Sequence, residues 1–400
     1  MEGSTRLKWV ATLIPGGTPT VAESSYWTKG EEGTPWVAIG DMTRNRLVTS
    51  PARRVTSEGL LSKSLRIGEP GTILFAMYAS VGEIAVLGCK ATWNQAILGV
   101  VPHPQVAEAR YLRYWLEHLR PALTELFRSN TQNNLSGEQV GALPFPVISV
   151  TRQRAIADFL DRETARIDAL IETKRRMIAV LREGVTVHIE KHLRDTAGSQ
   201  DSFRRLLMEP PQYGAAESGE IGEEAWPRYI RITDLTADGA LRDDDVRRLP
   251  PDVARPYLLR DNDLLFARSG ATVGKAFIYR QAMGACCFAG YLIRFRVDRN
   301  RIAPEIVEAW TRTNHYWGQI RASSLQATIE NVSAERYKAL LIPVPPKPDQ
   351  QRILKLISRR RERAHHLEET LLKQMMLLQE HRQALIAGAV TGQIEVSATA

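Results

Sequence analysis

Cysteine is scarce in this chain, with three among 400 residues, one alone and two adjacent. Cys89, Cys286 and Cys287 are odd in number, and chain neighbours bridge only with strain, so no disulfide framework is expected and the thiols are read as reduced and mostly buried. Long apolar runs are also missing: nothing approaches the ~18 consecutive apolar residues of a membrane span, and Met1-Glu-Gly-Ser-Thr-Arg6 has no signal-peptide core. The expectation is a cytoplasmic protein without membrane partners.

Catalytic clusters are equally scarce. Gly270-Ala-Thr-Val-Gly274-Lys275-Ala276 has three residues between its glycines where a P-loop needs four, and alanine where magnesium needs a hydroxyl. Its counterpart in the first half carries Glu83 in place of Lys275, which repels phosphate. His188 and His192 lie four residues apart, a spacing that suits a metal on a helix, but no third ligand accompanies them and a solvated face is expected. Glu209-Pro-Pro-Gln-Tyr213 is faintly like an amino-methyltransferase loop, yet glutamate stands where the amine must be held, so a linker is the reading. Pro251-Asp252 is followed by no acidic-x-Lys pattern of a metal nuclease. A non-enzyme without resident cofactor or metal is expected.

What is present is hydrophobic content of 44%, enough for two or three cores, and a formal net charge of +8 with pI near 9.4. Basic balance suits a polyanionic partner, because cations that neutralise phosphates release condensed counterions.

The chain also repeats itself. Trp36-Val-Ala-Ile-Gly-Asp41 returns as Tyr229-Ile-Arg-Ile-Thr-Asp234, Ile73-Leu-Phe75-Ala76 as Leu264-Leu-Phe266-Ala267, and Asn134-Leu-Ser136 as Asn331-Val-Ser333. Asp41 and Asp234 are 193 residues apart, Gly82 and Gly274 192, Asn134 and Asn331 197, and Gln153 and Gln351 198. A period this long means duplicated domains rather than a solenoid. Strand-length apolar segments are expected at Trp36 to Ile39, Thr72 to Ala76, Glu83 to Leu87 and Ala96 to Val101, mirrored at Tyr229 to Ile232, Asp263 to Ala267, Lys275 to Tyr279 and Tyr291 to Val297. A helix is expected in each half, at Tyr111 to Phe127 and Pro304 to Ile320.

Prolines then force an extended exit, at Pro144 and Pro146 and again from Pro343 to Pro348, before long helices capped by Ser149 or Thr151 and by Asp349. Ile167, Ile171, Ile178 and Leu181 form a narrow seam in the first, and Ile357, Leu367, Leu371, Leu378 and Leu385 in the second. Apolar residues every 3.5 positions must bury themselves against another helix, and the two seams most simply bury each other. The fold class is α+β. The expected domains are 1–148, a helix at 149–195, a second domain at 196–345 with 196–225 open as linker, a helix at 346–392, and a tail at 393–400.

This order, with Gly16-Gly-Thr-Pro19, Tyr26-Trp27, Asp263-Leu-Leu-Phe266-Ala-Arg268, Thr131-Gln-Asn-Asn134-Leu-Ser, Glu163-Thr-Ala-Arg-Ile-Asp168 and the C-terminal His381-Arg-Gln-Ala-Leu-Ile, resembles the specificity subunit of type I restriction-modification enzymes. The resemblance implies two target recognition domains, each reading one half of a split site in double-stranded DNA, and long helices that set the spacer and dock two methyltransferase subunits. A restriction or motor subunit is a further partner, and the SAM, ATP and Mg chemistry lies in the partners. Antiparallel pairing of the helices makes the two halves pseudo-twofold related. Pro210-Pro-Gln-Tyr-Gly214 departs from the Gly-Gly-Thr-Pro opening, which leaves the start of the second domain open.

Base reading needs paired donors and acceptors, Arg or Lys for guanine and Asn or Gln for adenine. Loops that align in frame and differ in side chain supply the candidates Tyr78 and Ser80 against Arg268, Ser269, Thr272 and Lys275. A second pair of loops sets Arg128, Asn130, Gln132 and Asn133 against Arg321, Ser324 and Gln326. The rival reading is a coiled-coil scaffold or adaptor without sequence-specific DNA binding.

Overall fold

The computed structural model describes residues 3–30, 32–44, 46–78, 80–128, 134–234, 241–324 and 331–396. It divides into two compact units: residues 1–173 with 373–400, and residues 174–372. The division falls inside both long helices, Val150–Thr196 and Lys347–Val390, so each unit keeps one segment of each.

In the first unit a five-stranded sheet runs in the order Ala11–Pro15, Ile97–Pro102, Ile73–Ala76, Ile84–Leu87, Leu47–Val48. Successive side chains point to opposite faces. Ile73 and Phe75 therefore enter a core with Tyr111, Leu112, Trp115 and Leu116 of the helix Ala109–Arg128, while Leu74 and Ala76 enter a second core with Val37, Met42 and Trp93. Burial on both faces is why this strand reads as an unbroken apolar run. The first core also takes Ile156, Ala157 and Leu160 from one long helix and Ile386, Ala389 and Val390 from the other.

In the second unit a four-stranded sheet runs Gln212–Tyr213, Leu292–Phe295, Leu264–Ala267, Ala276–Ile278. Leu264 and Phe266 face a core with Ile306, Trp310 and Tyr337, and with Ile189, Leu193, Ile353 and Ile357 of the long helices. Leu265 and Ala267 face another with Phe277 and Phe288.

Several expectations need correction. The apolar spacing from Pro304 to Ile320 is two helices, Pro304–Trp310 and Asn314–Ser324. The Thr311 and Thr313 hydroxyls donate back to the Glu308 and Trp310 carbonyls at 2.7 Å each, and Thr313 Oγ1 then accepts from the Tyr316 N–H. Local hydroxyl bonds compete with helix continuation, and here they win. The strands at Trp36 and Tyr229 stop at Val37 and Ile230, where the Asp41 and Asp234 carboxylates accept from the Ala38 and Arg231 N–H groups and turn the chain. Ser149 does accept from the Arg152 N–H, but Asp349 lies inside the first turn of a helix that starts at Lys347.

Residues 196–225 are not a simple linker. Ser199–Ser202 pairs with Leu341–Val344, and Phe203 and Leu206 are fully buried. Gly214 replaces the missing Gly-Gly opening: its N–H donates to Leu292 O and that of Ala215 to Phe288 O, as Gly16 and Gly17 donate to Ile97 O and Trp93 O. A Cβ on Gly214 would come within 2.3 Å of two carbonyl oxygens and one on Gly16 within 2.2 Å of one, so both positions demand glycine.

The expected match of Gln153 with Gln351 is out by one residue. Gln153 is buried, its amide donating to Val106 O and Ile148 O and its oxygen accepting from the Glu108 N–H. Gln350 makes the same set with Arg301 O, Pro345 O and the Ala303 N–H, so Gln350 rather than Gln351 is its counterpart. Of the seam residues, Ile167, Ile171, Ile178, Ile357 and Leu371 are buried and Leu181, Leu378 and Leu385 half-buried. Leu367 turns outward at 42% exposure, and Ile386, one place beyond Leu385, is fully buried.

Candidate nucleic-acid interface

Each unit carries the same backbone clamp where its central strand ends. The Met77 N–H donates to Ala96 O, and its carbonyl accepts from the Leu135 N–H. Arg268 does the same with Tyr291 O and the Val332 N–H. A short loop follows, closed by a glycine at φ +78° (Gly82) or +85° (Gly274), whose N–H returns to Ala76 O or Ala267 O. Positive φ is the conformation that glycine tolerates best.

Leu135 and Val332, the partners of Met77 and Arg268 in these clamps, follow the second pair of loops in sequence. Tyr78 and Ser80 are half-buried beside one clamp, and Ser269, Thr272 and Lys275 beside the other. Gly274 abuts Trp317 and Ile320, which places exposed Arg321 at the adjoining helix end. Asn130, Gln132, Asn133 and Gln326 lie outside the described residues, as do the side chains of Arg128 and Ser324.

Side chains on the two clamps differ in charge and anchoring. Met77 is buried, whereas its counterpart Arg268 is half-buried with its guanidinium 4.9 Å from the Tyr213 ring centroid and Nε 3.5 Å from Asn331 Oδ1. The Tyr213 hydroxyl accepts from the Ala334 N–H, and Arg336 donates to Asn331 O, so a second arginine gathers there. Glu83 is neutralised by Arg120 at 2.5 Å, while Lys275 has no ion-pair partner among the described residues. Tyr337 donates to Ala267 O at 2.6 Å and accepts from the Gly274 N–H, and Tyr316 donates to Gly274 O. Burial raises both phenols well above the ordinary tyrosine range, so they stay neutral donors.

In the segment that is like a P-loop, the amides of Val273, Gly274 and Lys275 are spent on Gly270 O, Ala267 O with Tyr337, and Thr272 O, so these three are not aimed at a phosphate. His188 and His192 stack edge to face at 4.3 Å, and burial lowers the pKa of His188.

Sequence reasoning missed Tyr213 and set Glu209 aside as linker. Glu209 instead accepts from Arg294 at 2.5 Å and Arg296 at 2.8 Å, and Arg296 also holds the buried Asp263 at 2.6 Å. In the first unit the missed feature is Arg382, buried on its helix and paired with Glu117 at 2.6 Å and Asp168 at 3.2 Å. The proline break after Glu209 hid the one, and a basic helix face the other.

The profile of the type I restriction modification DNA specificity domain matches residues 4–179. The MjaIX specificity subunit of Methanocaldococcus jannaschii is 20% identical over 98% of this chain and 93% of its own length. The EcoBI specificity subunit of Escherichia coli is 21% identical over 93% of this chain and 82% of its own. A solved chain from a type I R-M system, described for its complex assembly and conformational transition, shares the fold at TM-score 0.67 and 16% identity, covering 98% of each chain. No described helix is long and apolar enough to cross a membrane. Over nearly its whole length this chain is thus similar to the specificity subunits of type I restriction-modification systems, and its first 179 residues match their DNA specificity domain.

Proposed function

We propose that the chain is the non-catalytic, sequence-specific DNA-binding subunit of such a system, with one unit reading each half of a split site. One observation carries the reading: the backbone clamps at Met77 and Arg268 are the same, while the side chains they present differ. Shared frame with divergent loops is what two reading heads for different half-sites require. Phosphate contacts would set the register, and Arg268, Lys275 and Arg321 are the candidates for base edges in the second unit.

The long helices serve as spacer, pairing as an antiparallel coiled coil and docking two methyltransferase subunits. Asp168 faces Arg382 within one unit and Arg182 faces Glu368 within the other, so partners advance along one helix as they retreat along the other. SAM, ATP and Mg belong to the partner subunits in this reading.

Selection from random duplex libraries by the complex with its methyltransferase tests the proposal. Enrichment of two short motifs with a fixed gap is the expected outcome. No enrichment would leave the scaffold reading standing instead.

A further inference from the structure

A second cationic feature lies on the sheet that carries Trp36. In the first unit, Arg53–Val55 is the strand between Trp27–Thr28 and Thr34–Val37, with Arg53 directly opposite Trp36. The Arg53 guanidinium lies 3.7 Å from the Trp27 ring centroid and 5.2 Å from that of Trp36. The two indoles meet edge to face at 5.1 Å. Their N–H groups are spent on backbone, Trp27 on Thr20 O at 3.2 Å and Trp36 on Gly17 O at 2.9 Å, so the platform is fixed from below.

The Arg53 side chain is exposed and makes no ion pair or hydrogen bond among the described residues. Its neighbour Arg54 donates to Glu32 O. The second unit repeats the pair as Arg247 and Arg248: Arg228 bridges to Arg248 as Pro35 pairs with Arg54, and the Tyr229 N–H donates to Arg247 O. Tyr229 stands in for Trp36, its hydroxyl donating to Ala215 O as the Trp36 indole does to Gly17 O. There the resemblance ends, because Arg247 is paired with Asp245 at 2.9 Å, and Asp245 also holds Arg231.

We infer that Arg53 is a DNA phosphate-binding residue, placed in advance over Trp27 and beside Trp36, which the second unit has neutralised at Arg247. A guanidinium so placed keeps its donor fork free for a phosphodiester and has little rotamer freedom left to lose on binding. A phosphate contact steadies the duplex on the first unit and carries no sequence information. The inference rests on the proposed function, naming the backbone contact that would position the first reading head.

The test is binding of the full chain to a random-sequence duplex and to the duplex selected by the wild type, as a function of salt. Arg53→Gln is expected to weaken both about two- to fivefold, the range of an exposed ion pair. It should also reduce the slope of log affinity against log salt by about one. Arg53→Lys should keep most of the slope, and Arg247→Gln should leave it unchanged. An unaltered slope in Arg53→Gln overturns the inference, as does a changed base preference, which would make Arg53 a base reader. Arg53→Lys guards against misfolding, since a loss of binding in this charge-preserving variant equal to that in Arg53→Gln also counts against a phosphate role. A wild type that selects no site at all sinks the proposed function rather than this assignment.

Discussion

The Gly82 turn and the Gly274 turn have one backbone and two kinds of anchor. In the first unit the turn lies against Arg120, itself paired with a partly exposed Glu83. In the second, two buried tyrosines reach the backbone of the turn, and Arg268 is stacked on Tyr213. The same contrast runs beneath the sheets. Thr72 and Asp263 hold the same place, their N–H groups bonded to Glu69 O and Arg260 O, but the buried Asp263 anchors a cluster with Arg296 and the partly exposed Glu209. In the first unit the Trp93 ring covers Gly99 instead. A duplicated frame thus tolerates exchange of apolar filling for buried charge, provided each charge keeps its partner.

The largest expected effect follows from that exchange. Asp263→Leu leaves Arg296 with one carboxylate fewer in a buried site and is expected to cost about 3–5 kcal/mol. Thr72→Val removes one hydroxyl bond to Glu69 O and should cost about 1 kcal/mol. Denaturant unfolding of the two variants measures both, and equal losses would mean that the cluster contributes nothing special.

Tyr337→Phe removes the bonds to Ala267 O and the Gly274 N–H, at an expected cost of about 2 kcal/mol. Glu83→Gln should cost under about 1 kcal/mol, since its pair with Arg120 is half-exposed. Hydrogen exchange reads the difference: the Gly274 amide should lose protection in Tyr337→Phe, while the Gly82 amide should hardly change in Glu83→Gln. Unchanged exchange at Gly274 would remove the anchoring role from Tyr337.

A smaller contrast lies in the thiols. Burial pushes Cys286 up to about 11 and Cys287 up to about 12, above the ordinary thiol range, and also raises the half-buried Cys89. Folded values above the unfolded value favour the protonated thiol. The stabilisation is therefore whole below pH 9 and is lost as pH rises through about 11 and 12. Alkylation at pH 8 is expected to label Cys89 first. Prompt labelling of Cys286 or Cys287 in the folded chain would contradict this burial.

Much of this frame was legible from local pattern. Ile73–Ala76 and Leu264–Ala267 announce themselves as strands buried on both faces, and the long helices by their 3.5-residue spacing and proline entries. The Gln-Arg match points to Gln351, one residue out of step with the offset of 197 between Asn134 and Asn331, and the three bonds put Gln350 in its place. The helix break at Thr311 to Thr313 hid under continuous apolar spacing, since hydroxyl caps compete locally with a pattern that extends through them. The Met77 and Arg268 loops were found by comparing the copies, but Tyr213 beneath Arg268 and the indoles beneath Arg53 come from distant segments. No spacing rule links such residues.

Site selection from random duplexes by the complex carrying Arg268→Ala, set beside the wild type, puts the division of labour between the units to proof. The account predicts that one motif of the pair relaxes at one or two positions, each worth about 1–3 kcal/mol, while the other motif and the gap stay as they were. Equal weakening on every sequence would make Arg268 a phosphate contact, and relaxation of both motifs together would contradict independent reading by two units.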